Sequence, residues 1–162
     1  MENAADWAMV FVSTLGSLVG VYIAASVRKL SLISERAQAT QNIYDQWVRK
    51  KELSISTPAI TKMDRVLYNQ LDPDCDIENQ QVRIWLILII DIIFNSYVAS
   101  KKGLYAEEIY KEDLRVHLGA IAKYDSKLLN DLMIERGYFG AGVLGEFYAE
   151  VSSLRDTISN ST

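Results

Sequence analysis

One cysteine (Cys75), one histidine (His117) and two prolines (Pro58 and Pro73) are all that this 162-residue chain holds of three informative residue types. Cys75 has no partner for an intrachain disulfide, which excludes a disulfide scaffold. Four His or Cys ligands do not exist, which excludes a structural zinc site of that kind, and no metal or cofactor is expected. Charge is missing from one long stretch: from Trp7 to Val27 there are 21 consecutive residues without Asp, Glu, Lys or Arg. Elsewhere charge is ordinary, at 23% of the chain, and with 49% hydrophobic residues the composition is that of a folded protein of one domain. A formal net charge of −4 gives no expectation of DNA binding.

The uncharged run, WAMVFVSTLGSLVGVYIAASV, would be about 31 Å long as a helix, enough to cross a hydrocarbon core of about 30 Å. Trp7 and Tyr22 suit interfacial positions near its two ends, and Arg28 with Lys29 closes it. A cleaved signal peptide fits less well, because Glu2 and Asp6 stand where a positive region belongs and the run is too long, although Ala24-Ala25-Ser26 resembles a cleavage site. Residues 1–6 carry two acids and no base, whereas residues 28–66 carry eight basic and four acidic residues. The positive-inside rule therefore predicts a single-pass protein of the plasma (inner) membrane, with the N-terminus outside and the remaining chain cytoplasmic. Residues 67–162 reverse the balance, with nine basic against fifteen acidic residues, so a basic collar for anionic headgroups would lie beneath an acidic body.

Gly16, Gly20 and Ala24 recur every four residues and form a small-residue stripe of the kind that lets membrane helices approach closely. Beyond it Leu30, Ile33, Ala37, Thr40, Tyr44, Trp47 and Lys51 alternate in steps of three and four, the seam spacing of a coiled coil. Together they predict one unbroken helix from about Ala4 to Glu52. Its transmembrane part (1–29) would continue into a coiled-coil-like stalk (30–52) and pack against copies of itself as a homo-oligomer.

A cytoplasmic helical domain over 53–162 follows. Thr57-Pro58 predicts a helix start running to about Leu71. Asp72 to Glu78 is acidic, but as a calcium loop it fails, with Ile77 where Gly is needed and Arg83 where Glu should coordinate; an acidic capping turn is expected. The next helix, Ile77 to Lys102, holds a second apolar run, Ile84 to Ala99. Asp91 and Asn95, four residues apart within that run, argue for the core of a bundle rather than a second span. Were it a span, Asp91 would serve a two-span channel or transporter subunit. Shorter helices are predicted over Ala106–Ala122 (stripe Tyr110, Leu114, His117, Ile121), Ser126–Arg136 (capped at Asp125 or Ser126, stopped by Gly137) and Ala141–Ile158. No strand alternation occurs, so the fold class is all-α, with a four- to five-helix bundle.

No catalytic constellation stands out, and the chain is not expected to be an enzyme. His117 has Asp113 one turn earlier as an orienting group but no nucleophile beside it. Gly140, Gly142 and Gly145 lack the spacing and the Lys-Ser/Thr ending of a phosphate loop; a turn and a tightly packed helix start are expected. Glu107-Glu108 reads as a solvated face. What remains is a basic and aromatic neighbourhood: Tyr44, Trp47, Arg49, Lys50, Lys51, Lys62, Arg65 and Tyr68. In an oligomer, Tyr44, Trp47, Arg49, Lys50, Lys62 and Arg65 are candidates to hold an anion such as a nucleotide by charge and stacking.

The layout IIDIIFNSYVASKKGLYAEEIYKEDLRVHL followed by YDSKLLNDLMIERGYFGAGVLGEFYAEV resembles that of bacterial proteins with one N-terminal membrane helix and a small helical cytosolic domain. The architecture is also similar to small membrane effectors of prokaryotic antiviral systems, including type III CRISPR. The stripe running into the seam leads to the expectation of a non-enzymatic, membrane-anchored oligomer, and the resemblance implies that its cytosolic domain binds a nucleotide second messenger or a partner and alters packing of the membrane helices. A passive anchor or accessory subunit of a larger complex is the alternative.

Overall fold

A computed structural model describes residues 2–69 and 79–160, and every regular element among them is helical. The order is α1 (Glu2–Ser56), α2 (Pro58–Asn69), α3 (Gln80–Lys101), α4 (Glu107–Asp113), a π-helical turn (Leu114–Leu118), α5 (Gly119–Tyr124), α6 (Ser126–Arg136) and α7 (Val143–Ser159). The all-α expectation is met. Cys75 and the acidic stretch Asp72 to Glu78 lie outside the described residues.

The chain forms two compact units, Met1–Gln38 and Ala39–Thr162. In the first, no proline interrupts α1, and every described side chain from Phe11 to Ala25 is exposed. Phe11 is 68% exposed, Leu18 64% and Tyr22 74%, so apolar residues point outward on all sides of the helix. A helix apolar all round needs an apolar surrounding to be stable.

The second unit begins inside α1. Ile43 is buried, Trp47 and Ala39 pack beside it, and together they contact α3 at Leu88, Ile92 and Ala99. This corrects the predicted stalk: residues 39–52 belong to the bundle. Ile43, absent from the coiled-coil seam, faces the core, whereas Thr40, Tyr44 and Lys51 of that seam face outward. The inward line runs 39, 43, 47, 50 because α3 offers it an apolar surface.

Pro58 ends α1 and begins α2, as expected of a residue that cannot continue an incoming helix but suits a first turn. The Thr57 carbonyl accepts from Thr61 N at 2.9 Å, closing that first turn. Asn79 caps α3 by accepting from Gln81 N at 2.9 Å. At the other end Gly103 takes φ 67°, Gly103 N donates to Ser100 O and Leu104 N to Ala99 O, both at 2.8 Å, a Schellman stop. The same motif closes α6 at Gly137 (φ 85°), whose start is capped by Asp125 accepting from Lys127 N and Leu128 N.

α3 is the central element of the bundle. Trp85, Leu86, Ile89, Ile90 and Ile93 are fully buried among Met63 of α2, Leu118 and Ile121, Leu129 and Leu132 of α6, and Phe147 of α7, and Ile92 is fully buried against Ile43 of α1. Ser96 is buried and donates to the Ile92 carbonyl at 3.0 Å, and the polar residues at the rim are paired. Asp91 accepts from Arg136 Nε at 2.9 Å and from the Tyr138 hydroxyl, and Asn95 Nδ2 donates to Gln46 Oε1 at 3.0 Å. The two residues that argued against a second span are thus groups joining α3 to α1, α6 and the turn after α6.

The predicted helix Ala106–Ala122 is interrupted by the π turn, which shifts its stripe. Tyr110, Leu114 and Ile121 are buried as expected, but Leu118 takes the core position and His117 moves to the rim. In the loop before α7, Gly140 (φ 114°) and Gly142 (φ 68°) take left-handed conformations, and a Cβ on Gly145 would collide with the Gly140 carbonyl. Gly145→Ala is accordingly expected to cost about 1–3 kcal/mol in a thermal melt. Gly119→Ala, whose Cβ would meet only the Ile158 side chain at 3.6 Å, should be neutral or gain up to about 1 kcal/mol.

Candidate functional site

The basic and aromatic residues singled out in the sequence divide between two environments. Tyr44, Arg49, Lys51, Lys62 and Arg65 are exposed, whereas Trp47, Lys50 and Tyr68 turn into the bundle. Lys50 is only 9% exposed; its Nζ pairs with Asp64 Oδ1 at 2.8 Å and stands 4.8 Å from the centroids of both the Tyr68 and Trp85 rings. The Lys50 carbonyl also accepts from Trp85 Nε1 at 3.4 Å. A charge this deep is held by a counter-ion and ring faces, so Lys50 is engaged in joining α1 to α2 and α3.

His117 adjoins this box. Its ring stacks on Trp47 with centroids 4.3 Å apart, and the Tyr68 hydroxyl lies 2.7 Å from Nδ1. Asp113, expected to orient the imidazole, does not; it accepts from the Tyr105 hydroxyl at 3.4 Å. The π turn between them supplies the reason, since widening the turn moves residue i+4 off the face of residue i. Burial, followed by the nearby Lys50 charge, lowers the His117 pKa to about 4, while burial and Asp64 raise that of Tyr68. His117 is therefore neutral at pH 7.

This sets the sign of an acid effect. Between the unfolded value of 6.5 and about 4, the unfolded chain takes up a proton at this position and the folded one does not. The stabilisation from keeping His117 neutral is complete above pH about 6.5, falls as pH drops and is gone below about 4, a loss of about 3 kcal/mol. His117→Gln is expected to flatten this part of the stability profile, measured by chemical denaturation at pH 7 and pH 4.5; parallel losses in both proteins would refute it.

Two of the clefts on the bundle surface are lined by described residues. One, of about 300 Å³, is lined by Asp91, Phe94, Asn95, Arg136, Tyr138 and Leu144, and its charges satisfy one another through the Asp91–Arg136 pair. The other, of about 370 Å³, lies among the C-terminal end of α3, α4 and α7, and includes Glu107, half of the Glu107-Glu108 pair that the sequence presents as a solvated face. The sequence reading missed it because its members, Tyr97 to Glu150, lie on three separate helices. Among the described residues no group of three His, Cys, Asp or Glu is arranged to hold a metal.

In the first unit the stripe Gly16, Gly20 and Ala24 is exposed, and nothing lies within 4 Å of a Cβ built on either glycine. Among the described residues, two helices are long and apolar enough to cross a membrane: α1, whose most apolar stretch is not buried, and α3, whose most apolar stretch is half buried. The fold and these surfaces thus define a class, an all-α bundle preceded by an exposed apolar helix. The chain matches no protein-family profile, no curated protein and no solved structure.

Proposed function

We propose that this protein is a non-enzymatic, single-pass membrane-anchored helical effector or sensor. The observation that carries the proposal is the exposure of every described side chain from Phe11 to Ala25 in a segment that has no charge between Trp7 and Val27. Lipid is the surrounding that such a helix requires. Arg28, Lys29 and the basic excess after them support an external N-terminus and a cytoplasmic bundle. The saturated polar groups of α3, Asp91 above all, favour its role as bundle core over that of a second span.

In this reading the exposed Gly16, Gly20 and Ala24 stripe supports packing of membrane helices from several copies. The individually exposed Tyr44, Arg49, Lys62 and Arg65 are the candidates to meet an anionic signal, such as the nucleotide second messengers of antiviral defence, or a protein partner, that would bias that packing. Protease protection on right-side-out and inverted vesicles, with tags at both termini, tests the anchor: one span leaves the termini on opposite sides, and a two-span protein leaves them on one. Crosslinking in detergent tests self-association. A monomer with a stoichiometric protein partner would support the passive anchor instead.

A further inference from the structure

We propose that the outward face of α1 between Ile33 and Ile55 is a contact between two copies of this chain, packed side by side in the same direction. It rests on the self-association and common orientation proposed for the anchored chain, and adds a contact outside the uncharged run. The seam is Ile33, Ala37, Tyr44, Val48 and Ile55. Ile33, Tyr44 and Ile55 recur at intervals of eleven residues, with Ala37 and Val48 four residues after the first two. Eleven residues are about three helical turns, so this repeat stays on one face of an α-helix.

In the second unit α1 has apolar residues on two faces. Ile43 is buried against α3 with Trp47 beside it, whereas Tyr44 (62% exposed), Val48 and Ile55 (72% exposed) turn away from the bundle. In the first unit Ile33 and Ala37, which continue the same spacing, are exposed as well. One exposed apolar side chain needs no explanation. A line of them at helical spacing marks a surface that another element covers.

Lipid does not suit this surface. From Phe11 to Ala25 the helix is free of charge all round, as contact with hydrocarbon demands, whereas the exposed Arg49, Lys51 and Glu52 stand among the seam residues in sequence. A narrow apolar line between charged flanks is the pattern of a helix that pairs with another helix.

The flanking charges say which helix. Lys51 follows Val48 by three residues and Glu52 follows it by four, so at about 100° per residue they border the seam on opposite sides. When two identical helices pack in parallel about a two-fold axis, each seam residue meets its own copy and each flank meets the opposite flank of the partner. Lys51 of either copy then faces Glu52 of the other, giving two reciprocal ion pairs on either side of paired Tyr44 and Ile55 side chains. The chain is thus complementary to itself in the orientation that a common anchor imposes. Tyr44 is shared between the copies, while Arg49, off the seam, stays open to a signal.

Disulfide crosslinking of the full-length chain in membrane vesicles tests this, with Cys75→Ser as background and copper-phenanthroline as oxidant. Tyr44→Cys and Ile55→Cys should each give a covalent dimer, and Asn42→Cys, exposed on another face, should not. In a detergent dilution series Lys51→Glu should weaken the dimer about tenfold, Glu52→Lys likewise, and the two reversals combined should restore it. Both residues are exposed, so the circular dichroism and melting temperature of these variants should match the parent. Gly20→Cys reports the membrane stripe separately. Crosslinking there with none at 44 and 55 would overturn this contact and leave association of the membrane helices standing, whereas a monomer at every position would remove both. Linkage of 44 and 55 to a different protein alone, or failure of the double reversal to restore the dimer, would also overturn it.

Discussion

Deleting residues 2–29 is expected to move the protein from the membrane pellet to the soluble fraction while leaving the bundle folded. The buried residues of the described core begin at Ile43, so the deletion removes none of them. What it removes is the 21-residue uncharged run, whose transfer into lipid is the whole of the proposed anchorage. The remainder keeps the Ile84 to Ala99 run, which makes the experiment decisive for α3 as well. If that run is shielded by α2, α6 and α7, as the full burial of Trp85, Ile89 and Ile93 indicates, the truncated chain needs no detergent. If α3 crosses the bilayer, the truncated chain stays in the pellet and is extracted only by detergent. The readouts are carbonate extraction and helical circular dichroism of the soluble product. A truncated chain that remains integral to the membrane would refute the single-span reading.

Punctuation and periodicity made most of the helices legible. Pro58, Gly103 and Gly137 each act through a fixed local rule that needs no tertiary partner, and the structure places a helix boundary at each. The apolar run of α3 was legible as a core helix because Asp91 and Asn95 would be costly in lipid; their partners, Arg136, Tyr138 and Gln46, were not. The inward face of α1 illustrates a limit. Leu30 to Lys51 satisfies coiled-coil spacing, and only the presence of α3 decides that Ile43 and Lys50 turn inward. The π turn at Leu114–Leu118 left no trace in the apolar pattern, which is why Asp113 and His117 looked coupled. Lys50 shows the same limit for charge. A run of Arg49, Lys50 and Lys51 reads as one basic patch, yet Asp64, Tyr68 and Trp85 take its middle member into the interior. The α3–α4–α7 cleft was the least legible feature, since its lining residues stand on separate helices and come together only when those helices meet.

Phe147→Ala should be among the most destabilising single substitutions in the bundle. Phe147 is fully buried at the centre of an aromatic cluster, with ring centroids 5.2 Å from Phe94, 5.4 Å from Tyr97 and 5.5 Å from Tyr138. Those three residues come from α3 and the loop after α6, so this ring ties α7 to α3, while Val151, Leu154 and Ile158 pack α7 on the rest of the bundle. Truncating a buried Phe to Ala costs about 3–5 kcal/mol, from lost transfer energy and the cavity left among rings that relax poorly. Set against a total stability of about 5–15 kcal/mol, this is a large fraction. For a chain of this size it corresponds to a fall in melting temperature of about 10 °C. Phe147→Leu keeps most of the volume and should cost less than half as much. Substituting Phe139, which is 54% exposed in the same loop, should cost almost nothing and serves as the surface comparison. The measurement also bears on α3. Phe94 and Tyr97 meet Phe147 only if α3 is packed inside the bundle, so a loss below about 1 kcal/mol for Phe147→Ala would mean that α7 does not dock on α3. A loss of the expected size, together with solubility of the truncated chain, would establish α3 as the core around which the cytoplasmic domain is built.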